Sequence, residues 1–119
     1  MEVMHSICHW EIPSTDFEKS HQFYEGLFGW KLHPMPEMDY LLFEVENGIG
    51  GGFNKVDSIS DGGIFAYIRV EDIPAILARV PGLGGEVLEE KTPINEGVFG
   101  YQAIFRDSCG VKMGIWSRE

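Results

Sequence analysis

The sequence predicts an α+β fold made of two βαβββ modules. Three observations carry that expectation: the second half repeats the first at an offset of 56 residues, each half opens with a strand-like stretch leading to a capped helix, and each helix is followed by three short strands separated by turn residues. Asp16, Leu27, Gly29 and Leu32 recur as Asp72, Leu83, Gly85 and Leu88, and Ile12 recurs as Ile68. Two copies of one supersecondary unit pack about a pseudo-two-fold axis and enclose space between them. The expected organisation is therefore one domain over 1–119, with module one spanning about 1–57 and module two about 58–119. The same offset puts Phe65 where the first module has His9.

Each element follows from local pattern. Residues 4–12 form the first strand, whose period-2 alternation places Met4, Ser6, Cys8, Trp10 and Ile12 on one face and His5, Ile7, His9 and Glu11 on the other. Pro13 and Ser14 end it. Thr15-Asp16-Phe17-Glu18 has capping-box spacing, so a helix is expected over about 16–28, with Phe17, Ser20, Phe23, Tyr24 and Leu27 as its buried stripe and Gly29 as its stop. Strands follow over about 30–33, 40–46 and 49–55, divided by Pro34, Pro36 and Glu37 and by Asn47-Gly48. In module two a strand over 64–71 sets Ile64, Ala66, Ile68 and Val70 against Phe65, Tyr67, Arg69 and Glu71. Asp72 then caps a shorter helix that carries Pro74 in its first turn. Strands over about 85–89, 98–106 and 111–116 complete the module, and a longer polar stretch at 91–97 makes the offset drift from 56 towards 62.

Composition narrows the function. The chain has 119 residues, near the commonest domain size and enough for one core. Apolar residues at 44% and charged ones at 24% match globular averages and argue against disorder. Nineteen acidic against nine basic residues give a formal charge of −10, which repels phosphate backbones, so neither nucleic acid nor an anionic membrane is an expected partner. The first five residues lack a basic signal region and no apolar run reaches membrane-span length, so a cytoplasmic protein is expected. Cys8 and Cys109 are expected to be free core thiols in a reducing compartment.

The strongest chemical signal is the face carrying His5, His9 and Glu11. Same-face neighbours on a strand lie about 6.6 Å apart, so His9 and Glu11 can share one substrate group or cation, whereas His5 and His9, about 13 Å apart, cannot. Phe65, Tyr67 and Arg69 share a face in module two, as do Lys112, Gly114 and Trp116. If the modules face each other, these make an aromatic-lined surface with a few polar groups, the pattern of a small-molecule site. Alternatively the aromatics simply fill the core. The run Gly48-Ile49-Gly50-Gly51-Gly52 is no phosphate loop, because it lacks the Lys-Ser/Thr ending and a following helix. Cys8 falls on the face opposite His5 and His9, which dissolves an apparent metal cluster. His21 and His33 are expected at the surface. Motifs for serine or cysteine nucleophiles and for dinucleotide binding are absent.

The stretches His9-Trp-Glu-Ile-Pro-Ser-Thr-Asp16, Phe23-Tyr-Glu-Gly-Leu-Phe-Gly-Trp30 and Phe105-Arg-Asp-Ser-Cys-Gly-Val-Lys-Met-Gly114 resemble the glyoxalase/bleomycin-resistance/extradiol dioxygenase (vicinal oxygen chelate) superfamily, and within it proteins described as related to lactoylglutathione lyase. The resemblance covers nearly the whole chain. It implies a curled mixed sheet around a cavity, with helices on the outer face, and homodimers in which chains often exchange modules. In metal-using members a divalent ion sits on four residues. Those positions fall here on His9, about Gly52, Phe65 and Gly114, and neither glycine nor phenylalanine can ligate. The resemblance therefore implies a cavity without the family's metal, enlarged by Gly52 and Gly114, that holds a small, partly aromatic ligand. His9, Glu11, Phe65, Tyr67, Arg69 and Trp116 are its expected contacts. The alternative is a lyase, isomerase or dioxygenase-type enzyme, with His9 as general base oriented by Glu11, or with His9 as one ligand of a rearranged metal site.

Overall fold

Residues 3–59 and 63–119 are described by the structure, a computed structural model. The chain is α+β and divides into two compact units, one of His9–Phe65 and the other of the segment through Cys8 together with Ala66–Glu119. In the first unit, β1 (Ile7–Ser14) leads through α1 (Phe17–Phe28) to β2 (Lys31–Met35), β3 (Tyr40–Glu44) and β4 (Gly51–Lys55). The strand order is β2-β3-β4-β1, with β1 parallel to β4 and the remaining pairs antiparallel. The second unit repeats this plan: β5 (Phe65–Arg69), α2 (Ile73–Arg79), β6 (Glu86–Pro93), β7 (Tyr101–Arg106) and β8 (Lys112–Ser117), in the order β5-β8-β7-β6 and with β5 parallel to β8.

The first strand starts later than alternation predicts and continues through Pro13 and Ser14, which are paired with Asn54 and Lys55. Residues 4–6 instead form a turn in which His5 takes a positive φ of 62°. Asp16, rather than Thr15, caps α1: its carboxylate accepts from the backbone N–H groups of Glu18 and Lys19 at 3.0 and 3.2 Å. The cap lies one residue later because Asp16 is the residue held in extended backbone, at φ −154°. Gly29 closes the helix at φ 71°, a left-handed conformation in which a side chain would be strained. In module two Asp72 caps α2 as expected, accepting from Ala75 N–H at 3.1 Å.

Each unit has its own core. In the first, Leu32, Leu41, Phe43 and Phe53 are buried, with Trp10, Ile12, Phe17, Tyr24 and Trp30 packed around them. Trp30 is stacked between Phe43, 4.5 Å away, and Tyr24, 5.0 Å away. In the second, Val70, Ile73, Leu77, Ala103 and Ile115 are buried. Trp10 and Ile12 therefore occupy the core face that alternation assigns them, which leaves His9 and Glu11 on the other.

The stripe expected for α1 is only partly buried. Phe17, Ser20, His21 and Tyr24 are half-buried, while Phe23 and Leu27 are exposed. The helix sits with its Phe17–Tyr24 edge on the sheet, where Ser20 Oγ lies 2.7 Å from the buried Ser14 Oγ, and Phe23 and Leu27 face outward. Both cysteines are free, but Cys109 is exposed rather than part of a core. It occupies a turn in which the Asp107 carboxylate accepts from the N–H groups of Cys109 and Val111, each at 2.9 Å. Those charge-assisted bonds hold the Asp107 carboxyl below its ordinary value. His33 is exposed and paired with Glu44, and His21 lies 3.7 Å from Glu25 one turn along α1. No helix among the described residues is long and apolar enough to cross a membrane.

Candidate functional site

Strand register assembles a polar group on the sheet face of the first unit opposite its core. Glu11 is paired with Gly52 across β1–β4, and Gly52 with Leu42 across β4–β3. Tyr40 sits two pairs along and so on the same face, opposite Asn54 and Met35. A side chain on Gly52 would overlap the Tyr40 ring, so the missing Cβ is what lets that ring lie across β4 and reach β1. There the Tyr40 hydroxyl donates to Glu11 Oε2 at 2.9 Å and lies 2.7 Å from His9 Nε2. A phenol has one hydrogen to give. With that hydrogen on Glu11, the hydroxyl accepts from His9, which assigns the Nε2–H tautomer. The His9 and Tyr40 rings are near-parallel at 20°, with centroids 6.2 Å apart.

Electrostatics in this group follow burial. Desolvation pushes the Glu11 carboxyl above its ordinary value, an effect that the bond from Tyr40 partly offsets. Desolvation likewise lowers His9, so its neutral form is favoured at neutral pH. The half-buried Met35, Leu42 and Asn54 alternate onto the same face. Three linked polar groups beside apolar surface can orient and hydrogen-bond a small molecule.

Of the residues singled out by sequence, His9, Glu11 and Gly52 are brought together here. Tyr40, which joins them, was missed. Its signal was available in principle: it shares the alternation of Leu42 and Glu44, and a glycine stands on the adjacent strand within reach of its ring. Phe65 is half-buried at the start of β5. In the second unit Tyr67 is buried and paired with Gly114, and Arg69 is paired with Trp116. The Arg69 guanidinium lies 4.7 Å over the Trp116 ring, whose Nε1–H donates to the Phe99 carbonyl at 2.8 Å. The half-buried Cys8 thiol is 3.7 Å from the Tyr67 carbonyl, and burial raises its pKa.

The fit of a metal at the carried-over positions is poor. The space that a ligand at position 52 would enter holds the Tyr40 ring, and His9 and Glu11 both address the Tyr40 hydroxyl. Among the described residues no three His, Cys, Asp or Glu side chains cluster closely enough to hold an ion.

Comparison with known proteins identifies the class. Residues 6–46 match the family model for the N-terminal part of bleomycin resistance protein-like proteins. A glyoxylase-like domain-containing protein of Didymella fabae is 31% identical over 116 residues, covering 91% of this chain and 90% of that protein. The chain belongs to the glyoxalase/bleomycin-resistance/dioxygenase superfamily. Among solved structures, hypothetical protein BH1468 of Bacillus halodurans C-125 superposes with a TM-score of 0.73 at 19% identity, covering 96% of this chain and 94% of that one. A glyoxalase/bleomycin resistance protein/dioxygenase superfamily member from Vibrio splendidus 12B01 gives a TM-score of 0.68 at 14% identity, covering 91% and 95%. At these identities the two structures show a shared fold.

Proposed function

We propose that the protein binds a small organic molecule on the sheet face bearing His9, Tyr40 and Glu11, without a metal ion at the four positions used by metal-dependent relatives. The observation that carries this reading is the Tyr40 hydroxyl bridging His9 and Glu11 above Gly52. It consumes the two ligand-capable side chains in a hydrogen-bonded chain and leaves polar groups suited to a neutral or partly aromatic ligand beside Met35 and Leu42. The test is metal analysis of protein purified without chelators, alongside NMR titration with a fragment library. Sub-stoichiometric metal and saturable shifts at His9 and Tyr40 that vanish in Tyr40→Phe are expected. Near-stoichiometric metal lost on His9→Ala overturns the metal-free reading, and a library that perturbs no resonance on this face overturns the binding reading.

A second reading, an acid–base enzyme acting on a carbonyl substrate, is favoured by one observation: burial keeps His9 neutral and therefore able to take a proton at neutral pH. In that role Tyr40, bonded to both, relays the orienting effect of Glu11 to His9. Turnover of a hydroxyketone or hemithioacetal that is abolished by His9→Ala and depends on the titration of His9 would establish it.

A further inference from the structure

A cavity lies wholly within the second unit, on the side of its sheet that α2 covers. Its volume is about 310 Å³, at the small end of the range for ligand clefts. The floor is apolar: Ile76 of α2, Val80 and Leu83 where the chain leaves that helix, and Phe105 of β7. Ile76 and Phe105 are packed against the buried core of this unit, whereas Leu83 is 70% exposed. The charges around this floor run against those of the whole chain. In a protein of formal charge −10, the charged side chains lining the cavity are Arg79, Arg106 and Asp107. The Asp107 carboxylate is satisfied within its own turn by the N–H groups of Cys109 and Val111, each at 2.9 Å. Carbonyls at the end of α2 are satisfied as well, Leu77 accepting from Val80 N–H and Val80 from the N–H groups of Leu83 and Gly85. The cations are less fully matched. Arg106 donates through Nε–H to the Gly110 carbonyl at 3.2 Å and lies 3.5 Å from Glu86 in an exposed ion pair, which contributes little. Arg79 is exposed, and no carboxylate among the described residues pairs with it.

We propose that this cavity binds a small amphipathic monocarboxylate, its hydrocarbon part lying on Ile76, Val80, Leu83 and Phe105 and its carboxylate on the guanidiniums of Arg79 and Arg106. Each property of the cavity selects that class. The apolar floor rewards burial of hydrocarbon, and a guanidinium presents paired N–H donors that match the two oxygens of a carboxylate. A cation is repelled by both arginines, and a neutral chain leaves them unmatched. A phosphate dianion doubles the repulsion from the acidic chain, which a single carboxylate keeps to one charge. The volume admits one short chain or ring and excludes a two-tailed lipid. The site belongs to the second unit, whereas His9, Tyr40 and Glu11 belong to the first.

The test is NMR titration of the full chain with octanoate below its micellar concentration, and with octanol as the uncharged counterpart. Saturable shifts at Leu83 and Phe105 are expected, with octanoate bound roughly tenfold more tightly than octanol, as befits one charge-assisted contact. Arg79→Gln should bring octanoate down to about the level of octanol, and Leu83→Asp should weaken both ligands at least about tenfold. Circular dichroism should be unchanged in both variants because both side chains are exposed. Lys31→Gln, which removes an exposed cation from the first unit, should leave octanoate binding as it was. Absence of saturable shifts at Leu83 and Phe105 overturns the proposal, whether or not the His9–Tyr40 face responds. Equal affinity for octanoate and octanol overturns the assignment of a carboxylate, and equal losses in Arg79→Gln and Lys31→Gln overturn it by assigning the binding to net charge.

Discussion

Gly52→Ala is expected to destabilise the protein through one side chain, Tyr40, and the effect can be isolated. The added methyl would overlap the Tyr40 ring, so the ring must leave its place across β4. Forcing a methyl into such a contact costs about 1–3 kcal/mol. Displacing the ring also breaks the bonds of its hydroxyl to His9 and Glu11, about 1 kcal/mol each in net terms. The single variant should therefore lose about 3–5 kcal/mol in urea denaturation. Tyr40→Ala loses the same two bonds and the ring packing, about 3 kcal/mol. If the steric conflict is the cause, Gly52→Ala adds almost nothing in the Tyr40→Ala background. The double-mutant cycle then shows a coupling of about 3–5 kcal/mol, well beyond the 0.3–0.5 kcal/mol scatter roughly expected of independent sites. His9 supplies a second readout by NMR titration: once the ring no longer covers it, its pKa should climb back towards 6.5. Additive energies, or an unmoved His9 titration in Gly52→Ala, would refute the account of Gly52 as the residue that seats Tyr40.

Four further outcomes follow from the structure. Glu11 is raised in the folded state, so the folded protein binds its proton more tightly than the unfolded chain does; its contribution is complete below 4.5 and is lost as pH rises through the raised value. Glu11→Gln, which keeps an acceptor for Tyr40, should remove that decline in a pH series of urea midpoints. The lowered His9 acts in the opposite sense, costing stability as pH falls below 6.5, so His9→Gln should flatten the acid side of the same profile. Thiol labelling of the native protein should modify Cys109 quickly and Cys8 slowly, because Cys109 is exposed whereas Cys8 is half-buried with a raised pKa. Phe43→Ala should cost about 3–5 kcal/mol, since Phe43 is 1% exposed and stacks on Trp30 at 4.5 Å.

Much of the fold was legible because its signals are local. Asp16 and Asp72 sit where the chain enters helices, Gly29 where it leaves one, and the Asp107–Gly110 turn leads into the last strand. Period-2 alternation assigned Trp10 and Ile12 to the core face and thereby His9 and Glu11 to the other. What local pattern did not give was tertiary. Proline at 13 looks like a strand end, yet β1 runs through it because pairing with β4 continues on that edge. The α1 wheel is apolar over a wide arc, and only packing decides that Tyr24 rather than Phe23 or Leu27 is drawn in. Tyr40 was hidden for the same reason: its partners are 31 and 29 residues away, and only the register that puts Gly52 beside it reveals them.

The repeat gives that register a second use. The parallel pair Glu11–Gly52 of the first unit has its counterpart in Tyr67–Gly114 of the second, and the antiparallel pair Tyr40–Asn54 has its counterpart in Gln102–Trp116. Identical backbone positions thus carry different chemistry: a phenol bridging an imidazole and a carboxylate in one unit, and an amide bonded to Glu89 beside a tryptophan under a guanidinium in the other. Glycine recurs at the two equivalent positions, 52 and 114. At position 52 its consequence is visible, since the space it leaves is taken by Tyr40. A side chain at position 52 and the His9–Tyr40–Glu11 chain therefore exclude one another. A variant that places a carboxylate at position 52 must expel Tyr40, so metal affinity and the hydrogen-bonded chain should trade off: Gly52→Glu should take up Ni²⁺ more readily in the Tyr40→Ala background than with Tyr40 in place, and equal uptake in both would break the link.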